Sequence, residues 1–202
     1  MEPIIIEELQ PGEIREASVV ISHAFVTSPV PIAVMRGQGE KQRRRLEAMF
    51  RLVLGRMPGQ VLLAKDQGRI IGVMRMVEWP RCQMSPLQGL RLLPSMLKAL
   101  RGTLPRMLKY LSIWAKHDPK EPHWHLGLLV VLPERQGQGT GSRLLERFCE
   151  HVDQLGAAAY LETDKPENVR LYERFGFSVT GEAPVYRAPT WFMWRPPRRE
   201  TS

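Results

Sequence analysis

Leu128-Leu-Val-Val-Leu-Pro-Glu-Arg-Gln136-Gly137-Gln138-Gly139-Thr140-Gly141-Ser142 leads from an apolar run, through a turn with three glycines at alternating positions, into Arg143-Leu-Leu-Glu-Arg-Phe148. The apolar run predicts a buried strand, and the spacing after Thr140 predicts an amphipathic helix. The glycines therefore sit on a strand–turn–helix, where they permit positive φ and let a ligand approach the bare backbone. Unpaired N–H groups at the helix start, aided by its dipole, form a site for an anion such as a pyrophosphate. Two common phosphate-binding patterns do not fit. A P-loop needs a lysine at the helix entry, and Gly141-Ser142 has none. A dinucleotide fingerprint needs a third glycine where Ser142 stands.

Outward from this turn, the chain alternates between the two periodicities. Ile4–Glu8 reads as a short strand, residues 13–26 as a helix ended by Pro29 and Pro31, and Glu40–Leu54 as a second helix with an Arg-rich face. Val61–Lys65 and Arg69–Val77 predict two strands joined by the polar turn Asp66-Gln-Gly68. Residues 82–118 have helical spacing broken by Pro86, Pro94 and Pro105, and predict two or three short inserted helices. A strand at His123–Leu132, a helix from Thr140 to Leu155, a strand at Ala158–Thr163, a helix at Pro166–Phe175 and strands at Phe177–Thr180 and Trp191–Trp194 complete the chain. This order predicts an α/β fold: a single domain over residues 1–202, with one mixed central sheet flanked by helices and a helical insertion before the glycine-turn strand.

At 202 residues and 43% hydrophobic, the chain is long enough to core one such domain. Cys82 and Cys149 lie far apart with no CxxC or His-rich spacing, so free thiols in a reducing compartment are expected, with neither disulfide nor metal site. The acidic start, Met1–Glu8, lacks the basic region of a signal peptide, and the aliphatic run Leu126–Leu132 is too short to cross a bilayer. A cytoplasmic protein without membrane contact is the expectation, as a monomer or homodimer. The net charge of +8 invites a nucleic-acid reading. However, most of the excess falls in residues 81–120, where Asp118 is the sole acid, and no nucleic-acid-binding motif accompanies it. No nucleic-acid partner is expected.

The spacing Gln136-x-x-Gly139-x-Gly141 on a strand–turn–helix resembles the signature of the GCN5-related N-acetyltransferases. A second block, Leu161-Glu-Thr163, Asn168 and Tyr172-Glu-Arg-Phe175-Gly176-Phe177, is similar to the family's closing motif. Asn168 and Tyr172 are four apart and share a helix face. Gly176 falls where a helix C-terminus needs a left-handed residue. The resemblance runs from about residue 4 to 195. It implies direct transfer of an acetyl group from acetyl-CoA to an amine. Leu129, Val130 and Val131 would hold the pantetheine arm, and Gln136, Gly137, Gln138, Gly139, Thr140, Gly141 and Ser142 the pyrophosphate. Asn168 would contact the cofactor, and Tyr172 would protonate the departing thiolate.

Strand alternation places His123, His125, Gly127, Leu129 and Val131 on one face. Family members that acetylate histones have a glutamate where His125 stands. An imidazole of ordinary pKa is a competent base at neutral pH, so His125 is the candidate, with His117, His123 and Glu78 as alternatives. Trp79, Met84, Met96, Met107 and Trp114 are candidates to line the acceptor cleft. The segment from Trp114 to Leu129 and the ending Thr190–Pro196 resemble a subgroup that includes puromycin N-acetyltransferase, which implies a small-molecule amine acceptor. A protein or peptide N-acetyltransferase, and a silent acyl-CoA-binding regulatory module, are the alternatives.

Overall fold

In the computed structural model, which describes residues 4–198, the apolar run Ile70–Val77 forms the interior of a strand buried on both faces. The elements in chain order are β1 (Ile5–Glu8), α1 (Ile14–Phe25), α2 (Pro29–Met35), α3 (Glu40–Arg56), β2 (Gln60–Asp66), β3 (Arg69–Glu78), α4 (Pro86–Leu100), α5 (Leu104–His117), β4 (Trp124–Val131), α6 (Thr140–Gln154), β5 (Ala159–Thr163), α7 (Pro166–Glu173), β6 (Ser178–Glu182) and β7 (Trp191–Arg195). The strands form one seven-stranded sheet in the order β1-β2-β3-β4-β5-β7-β6. Neighbours are antiparallel except β4 and β5, which run parallel. The predicted mixed sheet flanked by helices is what the chain forms.

Each face of the sheet has its own core. Helix α6 places Leu144, Leu145, Phe148, Cys149 and Val152 against Met74, Met76, Leu126 and Leu161. Burying Phe148 completely contributes roughly 1.5–3 kcal/mol. On the other face α1 packs Ala17, Val20, Ile21 and Ala24 against Leu63, Val73, Leu128 and Val130. A third cluster joins α2, α3, α4 and α5 through Val34, Leu46, Leu92, Met96, Leu100 and Met107. The Arg195 guanidinium fastens the C-terminal side. It donates to both Asp153 carboxylate oxygens at 2.6 and 2.9 Å, and to the Phe175 carbonyl at 2.8 Å beside Gly176, whose φ is +86°.

Prolines mark two departures from the sequence reading. Pro29 and Pro31 do not simply end a helix; they open α2, where a missing N–H costs nothing in the first turn. Pro94 lies inside α4 instead of breaking it. It falls on the solvent face, opposite the buried Leu92, Met96 and Leu100, so the carbonyl it leaves unpaired can be met by water. The insertion is thus two helices. Among the described residues no single helix is long and apolar enough to cross a membrane.

Candidate active site

Strands β4 and β5 pair only from Trp124/Ala159 to Leu126/Leu161. Beyond that point they splay, and β4 runs on to Val131 with β3 on one edge and a gap on the other. A bulge decides what faces the gap. Arg75 pairs with Leu128 and Met76 with Leu126, which leaves Gly127 as the extra residue. A Cβ there would meet the Arg75 Nη1 at 3.1 Å, so glycine lets the strand kink against that guanidinium.

The bulge corrects the alternation expected from sequence. Trp124, Leu126 and Leu129 face the α6 core, whereas Leu128 and Val130 face α1. His125 therefore does not share a face with Leu129 and Val131. Backbone direction follows the same logic. Leu132 N donates to Ile71 O, so antiparallel alternation turns Val130 toward its partner Val73 and turns Leu129 and Val131 away from β3. Leu129 and Val131 present their amides to the gap. Val130, a candidate ligand by sequence, has its backbone groups engaged by β3.

Past the strand, the glycine turn leaves backbone amides unpaired and unobstructed. Gly137 and Gly139 have φ of +74° and +82°, and no heavy atom lies within 4 Å of a Cβ built on either. The first bond of α6 runs from Arg143 N to Gly139 O, so the amides of Thr140, Gly141 and Ser142 have no helical partner. A glycine N-cap offers no side-chain acceptor to occupy them. The Gln136 side chain ties the turn to the strand end by donating to Val131 O at 2.9 Å, and Gln138 donates to Glu134 O at 3.4 Å. Both glutamines brace the turn. The open edge of β4 and this bare cradle fit a pantetheine arm followed by a pyrophosphate.

On the α1 side the splay opens into a cleft of about 280 Å³. Tyr172 and Asn168 line it from α7, His125 from β4, Glu162 from β5 and Asp164 from the loop that follows. Met84, Met96, Met107, Tyr110 and Trp114 supply an apolar wall from the insertion and the loop before it; Trp79 is not among the lining residues. Burial, with the Asp164 carboxylate near, holds the Tyr172 phenol protonated well above the ordinary tyrosine range. Asp164 accepts from Val30 N at 2.7 Å and so fixes the start of α2 over the cleft. Burial raises the Asp164 carboxyl's pKa.

Within the cleft, His125 Nε2 and Glu162 Oε2 meet at 2.8 Å, with side chains 10% and 2% exposed. Burial alone would lower the His125 pKa, but the Glu162 charge and the neighbouring Cys82 outweigh it and raise it above the usual imidazole range. The pairing with Glu162 sets His125 apart from the unpartnered imidazole expected from the sequence. Sequence reasoning missed Glu162 as a site residue, although a charge in the otherwise buried strand Ala159–Thr163 was a visible signal. The other base candidates fall outside the cleft lining. His117 is exposed and bonded to Ile113 O at 2.9 Å, Glu78 is exposed, and His123 faces Asp118 at 3.6 Å. The basic excess also lies elsewhere: Arg56, Lys98 and Arg101 line an open groove between α3 and α4.

The model of the acetyltransferase (GNAT) family matches this chain over residues 32–177. The chain belongs to the GNAT family. It is accordingly an acyl-CoA-dependent transferase, from a family that uses acetyl-CoA as acetyl donor. Among solved structures, a Corynebacterium glutamicum protein described as histone acetyltransferase HPA2 and related acetyltransferase is similar, with a TM-score of 0.73 at 24% identity over 100% of both chains. The Drosophila melanogaster polyamine N-acetyltransferase, which catalyses formation of N-acetylagmatine, superposes with a TM-score of 0.67 at 15% identity, covering 95% of this chain and 98% of that one. The Escherichia coli ribosomal-protein-S18-alanine N-acetyltransferase gives 0.56 at 16% identity over 99% of each. These likenesses concern the GNAT fold.

Proposed function

We propose that this GNAT enzyme acetylates the primary amine of a small molecule that is cationic at one end and apolar along its body, by direct transfer within a ternary complex. The observation that carries this reading is the buried Glu162–His125 pair at the floor of an apolar cleft, reached from the same gap that exposes the Leu129 and Val131 amides. Glu162 and Asp164, two residues apart, place two acidic side chains in the cleft. An ammonium group is their natural complement, and the methionines and aromatics of the insertion suit a hydrocarbon chain or ring. Enclosure by α2 and α5 favours a compact acceptor over a folded protein. The likeness of residues 114–129 and 190–196 to the puromycin N-acetyltransferase-like subgroup supports the same class. So do the polyamine and agmatine activities of structural neighbours.

Acetyl-CoA, when bound, supplies the acetyl group as a thioester. Glu162, oriented by His125, accepts a hydrogen bond and then a proton from the acceptor ammonium, leaving a lone pair for attack. The amides of Leu129 and Val131 offer donors at the gap, where negative charge would develop. Tyr172, kept protonated by burial, would give its proton to the leaving sulfur and regain one from the second proton that the attacking nitrogen loses. Asn168, one turn earlier on α7, positions the arm. The test is release of free CoA from acetyl-CoA across agmatine, spermidine, tryptamine, phenethylamine and amine-bearing peptides. Turnover with one of the small amines and none with peptides supports the reading; turnover confined to peptides overturns it.

A further inference from the structure

Three side chains outside the transfer chemistry converge at the root of the insertion. Cys82 lies in the loop that leaves β3, Asp118 caps the C-terminus of α5, and His123 immediately precedes β4. The Cys82 Sγ, an Asp118 carboxylate oxygen and a His123 ring nitrogen all lie within 4.8 Å of one another. His123 Nε2 is 3.6 Å from Asp118 Oδ1, and Cys82 Sγ is 3.8 Å from Asp118 Oδ2. Around a tetrahedral zinc ion, with bonds of about 2.0 Å to N or O and about 2.3 Å to S, neighbouring ligand atoms stand roughly 3.3–3.5 Å apart. The two spacings that involve Asp118 are a few tenths of an ångström from that.

A second observation points to a ligand. His123 Nε2 and Asp118 Oδ1 are buried with no hydrogen-bond partner, on side chains 0% and 5% exposed. Buried polar atoms are rarely left in that state. His123 Nδ1 stands 2.7 Å from the Glu121 carbonyl, which accepts its proton, while Nε2 faces Asp118. A backbone carbonyl holding the far ring nitrogen is the arrangement that orients metal-binding histidines.

We propose that Cys82, Asp118 and His123 form a binding site for a thiophilic divalent metal ion, zinc(II) by its donor set. A thiolate and a carboxylate together balance the dication, and the S, N and O donors match zinc preferences. Binding replaces the thiol proton, which leaves to solvent, with a metal–sulfur bond. Because Cys82 and Asp118 bracket α4 and α5, the ion would clamp both ends of the insertion to the sheet. Cys82 also lines the acceptor cleft, so occupancy would fix that wall. The site stands independently of the acetyl-transfer reading.

The test uses the full chain, stripped with a chelator and titrated with cobalt(II), then with zinc(II) in competition. The expected result is one metal per chain with a thiolate-to-cobalt charge-transfer band. Cys82→Ser abolishes the band, and His123→Gln weakens binding on the order of 100-fold or more. Cys149→Ala changes neither. Zinc at about a hundred times its Kd raises Tm by roughly 5–10 °C. Should the variants fail to fold, wild-type protein serves: zinc slows alkylation of Cys82 by iodoacetamide. No charge-transfer band, a band that survives Cys82→Ser, or alkylation of Cys82 at the same rate with and without zinc overturns the proposal.

Discussion

The cofactor side and the acceptor side of this enzyme are built in opposite ways. The cofactor side is nearly contiguous: β4, the turn at residues 133–139 and the first turn of α6 present their ligand-facing groups within about one strand and one helix turn. In the proposed function it would work through backbone amides, and its glutamine side chains brace it. The acceptor side gathers His125, Glu162, Tyr172 and the methionines of the insertion from separate elements, and in the proposed function it would work through side chains buried against one another. A backbone site tolerates changes of side chain but not of φ. The acceptor site, by contrast, depends on individual functional groups. Substitutions on the two sides should therefore fail differently.

The largest effect is expected on the acceptor side. Glu162→Gln removes the carboxylate and leaves His125 without its charge partner, so kcat/KM with the amine falls on the order of 10³-fold, while calorimetry shows acetyl-CoA affinity unchanged. If the affinity falls with the rate, the two sides are not separable in this way. Tyr172→Phe keeps the buried ring and removes the proton donor. Its kcat should drop on the order of 10²-fold with the same cofactor affinity; wild-type turnover would reduce Tyr172 to a packing residue.

On the cofactor side, Gly139→Val places a β-branched residue at φ +82° and a side chain over the amides of α6. Backbone strain there costs about 1–3 kcal/mol. Acetyl-CoA affinity should weaken about tenfold or more, while far-UV circular dichroism stays unchanged. An unaltered affinity would move the phosphates elsewhere. The smallest effect belongs to the brace between α6 and β7. Hydrogen bonds from Arg195 hold the Asp153 pKa below its ordinary value. The stability this adds is present above the unfolded pKa of about 3.9 and is lost as pH falls through the lower, folded value. Unfolding free energies from urea titrations of wild type and Asp153→Asn should differ at pH 6 by up to about 1 kcal/mol, and the difference should shrink below pH ~4.

The same contrast explains what the sequence discloses. The glycine turn could be read because strand, turn and helix are contiguous and each residue's role is local. The sheet was legible from periodicity. The bulge at Gly127 was not, because it exists only in the register between β3 and β4, and it reversed the face assigned to Leu129 and Val131. Glu162 escaped because its role arises from parallel pairing that brings β5 beside β4. Helix α2 was hidden by prolines that read as terminators but serve as first-turn residues. Cys82 looked solitary in sequence, since Asp118 and His123 approach it only after α4 and α5 have folded back.

The most direct test of the account is calorimetric titration of acetyl-CoA into the full chain and into Glu162→Gln and Gly139→Val in parallel. The account predicts one saturable site, with Kd between about 1 μM and 1 mM, in wild type and Glu162→Gln alike, and markedly weaker binding in Gly139→Val. Absence of saturable binding to wild type at millimolar acetyl-CoA, or equal binding by all three proteins, would contradict it.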